Sequence, residues 1–189
     1  MNNQVMRTIL ERRSCRSFNG EKKVSEQDLF TVLKAGAYAP SAMNTQSWRF
    51  TAVVNAQKLQ ELNAAMLNRM DIAARERAAG RANGRPVSPF YNAPAMIVVS
   101  LKNGASPYPE ADAACALQNM FLAATSLGLG TCWINQLRGA TLSDPHVGNV
   151  LRDFGVPEDH TVFGCCALGY ADAESPLKDR APNVVHIVK

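Results

Sequence analysis

The chain has 189 residues, of which 47% are hydrophobic and 19% are charged, so it is long enough for one domain and too apolar for a disordered protein. Its formal net charge of +4 is compatible with an anionic ligand but indicates no particular fold. The amino terminus lacks the basic and apolar regions of a signal peptide, and no apolar run approaches the roughly 20 residues of a membrane helix. We therefore expect a cytoplasmic, single-domain protein over residues 1–189 with no membrane partner.

Two helices are predicted before residue 40. Val5 and Ile9 recur at helical spacing, so a short first helix should run into a basic segment at residues 11–16. The hydroxyl of Ser25 can cap a second helix, with Asp28 three residues further on. Pro40 should end that helix, because proline cannot continue the helical hydrogen bonds.

The rest of the chain alternates short apolar strands with helices. Strands are predicted at residues 48–54, 95–101, 131–134 and 162–168. Helices are predicted at residues 56–69, 110–127 and 144–154. The arginine-rich stretch at 71–89 carries no clear pattern and is given no element. This order indicates an α+β fold without internal repeats.

Several common chemistries lack their sequence motifs. No GxGxxG follows a strand, no Walker-type glycine loop is present, and no GxSxG carries a nucleophile. The three histidines are scattered, and the five cysteines form no CxxC pair. We expect no metal site, and we expect the cysteines to be reduced thiols that lie mostly in the core.

Two clusters of basic residues are separated by most of the chain. Arg12, Arg13 and Arg16 flank Ser14 at the predicted end of the first helix, while Lys178 and Arg180 lie near the carboxyl terminus. On spacing alone, a solvated basic turn is the favoured interpretation of the first cluster. The alternative is a phosphate site, because guanidinium groups match phosphate oxygens in paired, charge-assisted hydrogen bonds. The two clusters could converge on one dianion.

Two loops carry groups that could bind a heterocycle. Asn44 and Gln46 lie two residues apart, and in an extended segment their amides would point the same way and could read the edge of a flavin pyrimidine ring. An ordinary turn or capping role is equally compatible with them. Gly128 and Gly130 lead from a helix into a strand, where a backbone N–H could meet a ring nitrogen, although glycine more often just ends a helix.

Taken in order, these segments resemble the nitroreductase family. The resemblance spans Arg12 to Arg180 and rests on residues 12–18, 39–48 and 127–134. It implies an α+β, nitroreductase-like sandwich in which helices flank a central, mostly antiparallel sheet. It also implies an intertwined homodimer with two FMN sites at the subunit interface.

The resemblance assigns roles to the basic residues. The phosphate and ribityl end of FMN would be held by Arg12, Ser14, Lys178 and Arg180. Arg16 would approach the N1 and O2 edge of the flavin ring, and Arg13 would contribute through its backbone. A second group would come from the partner subunit, namely Pro40, Ser41, Ala42, Asn44 and Gln46.

The resemblance also predicts what lies beside the flavin ring. The backbone that passes the ring, with an N–H near N5, would be formed by Trp133, Ile134, Asn135 and Gln136. Asp112 is expected at the site too. No side chain is required as a catalytic acid or base, because the cofactor carries the hydride chemistry.

The resemblance implies an FMN-dependent oxidoreductase that takes hydride from NADH or NADPH. The hydride would pass through N5 to a small electrophilic acceptor, such as a nitroaromatic or a quinone, with the two substrates alternating in one cavity. Reductive dehalogenation and flavin degradation are the enzymatic alternatives. An anion- or nucleic-acid-binding protein is a further alternative, but the aromatic interleaving of a single-strand binder is missing, so no nucleic-acid partner is expected.

The five arginines between Arg69 and Arg85 have two interpretations. They could steer an anionic substrate or the phosphate of a nicotinamide cofactor towards the site. A solvated helix surface is the favoured interpretation, and the sequence does not identify the substrate.

Overall fold

The computed structural model describes residues 3–82, 84–173, 175–182 and 184–188. The helices in these ranges are α1 (Gln4–Glu11), α2 (Glu26–Ala37), α3 (Ala56–Arg69), α4 (Ile72–Ala82), α5 (Pro109–Ser126), α6 (Ala140–Ser143) and α7 (Pro145–Asp153). The strands are β1 (Trp48–Val53), β2 (Ala95–Lys102), β3 (Gly130–Ile134) and β4 (His160–Gly169). They form one sheet in the order β1-β2-β4-β3, in which every neighbouring pair is antiparallel.

The sheet is buried on both faces because helices cover each side. In β2, Met96 and Val98 pack into the same core as α3 and α7. The alternate residues Ile97 and Val99 pack into a second core with α2 and α5. A strand that is buried on both faces is expected to read as a continuous apolar run, as β2 does. The predicted α+β sandwich is therefore confirmed.

The edge of the sheet at β3 is extended by a segment from the start of the chain. Ser14 forms a parallel bridge with Thr131, and the Cys15 N–H donates to the Thr131 carbonyl at 2.8 Å. A further bridge joins the buried Phe18 to Ala171, just after β4. Residues 14–19, which we call the edge segment, are thus fixed beside β3 and β4.

Gly130 permits this close approach at the start of β3. A Cβ atom at this position would lie 2.8 Å from the Cβ of Cys15, which is closer than packed carbon atoms approach each other. The glycine is therefore required by the side chain of Cys15 in the edge segment.

The predicted elements agree with the structure except in the arginine-rich stretch and just after β3. Residues 72–82 form α4, and residues 140–143 form the short α6. Alanines give α4 a high helix propensity, but Ala78 is a lone buried position on a largely exposed helix, so the sequence shows no apolar stripe there. Among the described residues, no helix combines the length and the apolar character needed to cross a membrane.

Candidate functional site

The two basic clusters of the sequence meet in one cavity of about 440 Å³. Its walls, which we call the basic cavity, are formed by Arg12, Arg13, Ser14, Arg16, Ser17, Ala173, Ser175, Pro176, Lys178 and Arg180. A hydrogen bond from the Ser175 hydroxyl to the Ser14 carbonyl, at 3.3 Å, ties the two ends of the chain together. None of these described wall residues is acidic, so the cavity suits an anion that needs several donors.

Arg13 differs from its neighbours in the direction of its side chain. Its guanidinium donates to the carbonyls of Leu10 and Arg12 at the end of α1. Cationic side chains commonly satisfy the free carbonyls of a helix carboxyl terminus in this way. The arrangement agrees with the expectation that Arg13 contributes to a ligand through its backbone.

A second cavity of about 260 Å³ adjoins the first and shares Arg16 and Ser17 with it. Its other walls, which we call the neighbouring cavity, are formed by Met70, Ala78, Ala82, Arg85, Pro86, Ser88, Pro89, Tyr91, Asn92 and Gln136. Arg16 therefore lies where a ligand could extend from the cationic cavity into one of mixed apolar and polar character. An elongated molecule with a phosphate at one end and a flat ring at the other suits this shape.

The charge of Arg16 is also felt by two thiols beneath the site. Burial raises the pKa of the Cys132 thiol, and Arg16 offsets part of that rise. The pKa of Cys15 is raised in the same way, again with Arg16 acting in the opposite sense. Burial raises the pKa of Cys165 to about 12. Burial thus favours the neutral form of these thiols, in keeping with the expectation that the cysteines lie mostly in the core.

The segment at residues 40–46 lines neither of these two cavities in the described part of the chain. An extended backbone would have aligned its two amides, but the segment forms a turn in which Met43, Asn44 and Gln46 have positive φ angles of 52°, 55° and 45°. The two amides nevertheless meet, since the Gln46 Nε2 donates to the Asn44 Oδ1 at 2.9 Å. The Ser41 hydroxyl accepts from the Gln46 N–H at 3.0 Å and helps to hold the turn.

Asp112 holds residues 40–46 in place through a hydrogen bond to their backbone. Its carboxylate is buried and accepts hydrogen bonds from the Ala42 N–H at 2.8 Å and from the Ser106 hydroxyl at 2.6 Å. Both oxygens therefore bind the protein itself. The geometry gives Asp112 a positioning role for residues 40–46, and its expected place beside a ligand remains a prediction.

The chain leaves β3 through Trp133, Ile134, Asn135 and Gln136. Ile134 is buried, whereas Trp133 is partly exposed and packs edge-on against Phe121 at 6.2 Å between ring centroids. The Gln136 side chain lines the neighbouring cavity and accepts from the Asn135 N–H at 3.1 Å. The Asn135 N–H is thus bonded to a side chain of the cavity wall, and the expected N–H beside a flavin N5 remains a prediction.

Several wall residues were not identified from the sequence. Ser17 and Ser175 lie next to predicted positions, so their proximity was the available signal. Tyr91 and Asn92 come from the stretch after α4, which carries no recognisable pattern, and Arg85 was identified only as one of five arginines without a defined position. Only the folding of this stretch over the edge segment brings them to the cavity.

Comparisons with known proteins agree in one family. The family model described as nitroreductase family matches residues 9–170. A nitroreductase with bound FMN from Bacteroides fragilis NCTC 9343 is 42% identical, with a TM-score of 0.88 and coverage of 100% of both chains. A nitroreductase with bound FMN from Desulfitobacterium hafniense DCB-2 is 29% identical, with a TM-score of 0.89 and the same coverage. The FMN reductase (NADPH) of Bacillus subtilis is 29% identical over 195 residues, which cover 96% of this chain and 71% of that protein.

We predict that Asp112→Ala destabilises the turn at residues 40–46 and leaves the packing of the hydrophobic core unchanged. The change leaves the Ala42 N–H and the Ser106 hydroxyl without their acceptor, at a cost of about 1–3 kcal/mol. Urea denaturation should show this loss, and the Ala42 amide should exchange faster with solvent. Asp112→Asn is the matched control, because its side-chain oxygen can still accept from Ala42. Unchanged exchange at Ala42 in the alanine variant would contradict the positioning role.

Proposed function

This chain belongs to the nitroreductase family, and we propose that it is an FMN-dependent oxidoreductase that passes hydride from NADH or NADPH to a small electrophilic acceptor. Nitroaromatics and quinones are the acceptors we propose. The convergence of the two basic clusters beside Arg16 is the observation that carries the proposal. The bound FMN of the two solved relatives and the name of the Bacillus subtilis relative support it.

The donor groups of the basic cavity fit the phosphate end of FMN. Arg12, Lys178 and Arg180 supply cationic donors, and Ser14 supplies a hydroxyl. A phosphate monoester carries close to two negative charges at neutral pH, so it requires this kind of surrounding charge. The absence of a carboxylate among the described wall residues means that no repulsion opposes the phosphate there.

The neighbouring cavity fits the ring end. We propose that Arg16 lies at the N1 and O2 edge, and that the backbone of residues 133–136 passes the ring with an N–H directed to N5. A bound FMN would supply the hydride chemistry at N5 between the nicotinamide and the acceptor. The protein binds and orients the substrates, and no residue of the chain is needed to move a proton. We propose that donor and acceptor use the cavity in turn.

We further propose that the protein works as a homodimer in which residues 40–46 complete the site of the partner subunit. Their position outside both cavities of their own chain supports this arrangement. Met43 in this segment is 88% exposed, and the α1 residues Val5 and Leu10 are 64% and 59% exposed. Exposed apolar side chains on these two segments are compatible with surfaces that another chain covers. The free cysteines are in keeping with the proposed cytoplasmic location.

The phosphate assignment predicts that Arg12→Ala and Arg180→Ala each weaken FMN binding. Each lost charge-assisted hydrogen bond should cost about 1.5–3 kcal/mol, or roughly 10- to 150-fold in affinity. The wild-type protein should be isolated with the visible absorption of a flavin, and titration of apoprotein with FMN measures the losses. Arg7→Ala is the matched control, because Arg7 pairs with Glu11 on the exposed surface of α1. Unchanged affinity in both cavity variants would remove the assignment.

The position proposed for Arg16 predicts that Arg16→Met lowers the midpoint potential of the bound flavin. Reduction places negative charge on the N1 and O2 edge, and a fixed cation there favours the reduced form. Since Arg16 is exposed, solvent screening limits the effect, and we expect a fall on the order of 30 mV, equivalent to about 1.4 kcal/mol for two electrons. Dye equilibration measures the potential. If FMN stays bound and its potential does not move, Arg16 is not at the ring edge.

The shared site predicts complementation between two defective chains. One chain carries Arg12→Ala, and the other carries Asn44→Ala together with Gln46→Ala. Each homodimer should be impaired at both sites, whereas the heterodimer should contain one intact site and recover about half of the activity per dimer. Differently tagged chains allow the heterodimer to be purified and assayed. A verified heterodimer without recovered activity would show that these residues act within one chain.

A further inference from the structure

The charged residues in the wall of the neighbouring cavity are all cationic among those the structure describes. Arg16 and Arg85 contribute guanidinium groups, and the other polar wall residues are neutral hydroxyls and amides. None of its described wall residues is acidic. A ligand in this cavity therefore meets cations and hydrogen-bond donors with no facing carboxylate, which favours a ligand with an anionic group.

The position of Arg85 in this wall is fixed by Ser17 of the edge segment and by Asp172, whose backbone bonds to the edge segment. One Nη atom donates to the Asp172 carboxylate, and the other donates to the Ser17 hydroxyl at 3.4 Å. A guanidinium carries five N–H donors in a rigid plane, so these two bonds orient the group and leave other donors free. Arg85 is 48% exposed, and it is accessible to a ligand as well as fixed.

Among the other arginines of this part of the chain, Arg75 and Arg77 are exposed, whereas Arg69 is half-buried and donates to the Ser143 hydroxyl at 3.4 Å. Arg75 bonds to the Met70 carbonyl, and Arg77 is exposed on α4. Neither of them lines the neighbouring cavity. The sequence suggested that these arginines could attract an anionic substrate. Of those whose side chains are described, Arg85 is the one that lines the neighbouring cavity.

We propose that Arg85 selects acceptors that carry a carboxylate, such as aromatic nitro compounds with an acid substituent. This inference rests on the proposed function, because it names the class of acceptor for the same site. The Asp172 carboxylate would compete with a substrate carboxylate for the Arg85 guanidinium, because it forms an ion pair with Arg85. Asp172 itself does not line the neighbouring cavity but a third cavity, and Arg85 lines both. A substrate carboxylate has to share the guanidinium with Asp172, so the preference is moderate and can be changed in either direction.

The test compares 4-nitrobenzoate with 4-nitrobenzamide, which has nearly the same shape and no charge. The measured quantity is the ratio of kcat/KM for the acid to kcat/KM for the amide in each flavin-loaded variant. Differences in the intrinsic reactivity of the two compounds cancel when variants are compared with the wild type. Activity on the neutral amide also reports that each variant is folded and holds FMN.

We expect Arg85→Gln to lower this ratio by about three- to tenfold, as the loss of a partly exposed charge pair should. Asp172→Asn should raise the ratio, because it frees Arg85 from its competitor. Arg77→Gln is the matched control from α4 and should leave the ratio unchanged. If Arg85 served only to hold the loop through its ion pair, Arg85→Gln and Asp172→Asn would both break that pair and shift the ratio in the same direction.

Two results would overturn the inference while leaving the proposed function intact. One is an unchanged ratio, or a shift in the same direction, in Arg85→Gln and Asp172→Asn. The other is a KM for NADPH that rises in Arg85→Gln with no change in the acceptor ratio, which would mean that Arg85 binds the phosphate of the nicotinamide donor. In contrast, a wild-type protein that binds no FMN, and that oxidises neither NADH nor NADPH with nitro compounds or quinones, would contradict the proposed function itself.

Discussion

The site depends on the backbone pairing between the edge segment and the ends of β3 and β4. Cys15 donates to Thr131, Asn19 donates to Tyr170, and the Asp172 N–H donates to the Ser17 carbonyl, at 2.8–2.9 Å. Each such bond contributes only about 1 kcal/mol to stability, but together they fix the direction of a strand-like segment whose side chains alternate between its two faces. The buried Cys15 is thus followed by Arg16, which is exposed at the two cavities, and Phe18 is also buried in the core.

The same pairing gathers positive charge from both ends of the chain. The Asp172 N–H bonds to the Ser17 carbonyl of the edge segment. Residues 175–180 follow shortly after Asp172 in the chain and line the basic cavity together with Arg12 and Ser14. Several cations in one cavity repel one another, which disfavours the compact state in the absence of an anion. A bound phosphate reverses this effect and stabilises the folded protein by mass action. The cationic wall residues of the cavity therefore favour a negatively charged ligand.

Two segments complete the proposed site, namely residues 40–46 and α4 with the loop after it. Each is held in place by hydrogen bonds within the chain that do not involve a ligand. Asp112 and Ser41 hold residues 40–46 in a turn with positive φ angles, although this segment lines neither cavity of its own chain. Helix α4 and the loop after it cover the neighbouring cavity and are tied down through Arg85. Backbone strain of this kind persists where the surrounding structure fixes it, and it often occurs where a ligand binds. A rigid turn presented outward is suited to enter a second subunit with little loss of conformational entropy.

The sequence by itself determined the secondary structure and the kinds of side chain at the site. Local signals were sufficient for this purpose: Ser25 caps α2 through the Asp28 N–H, and the apolar run of β2 marks a strand covered on both faces. Convergence of the two basic clusters on a phosphate was an expectation of the resemblance, but only the tertiary structure could bring Arg12 and Arg180 to one cavity, because no local interaction links residues so far apart. The sequence left the backbone of the Asn44 segment undefined, and Asp112, 68 positions away in sequence from Asn44, supports a turn there. The position of Arg85 was likewise decided by tertiary structure, since helix propensity describes α4 but does not determine which surface it covers.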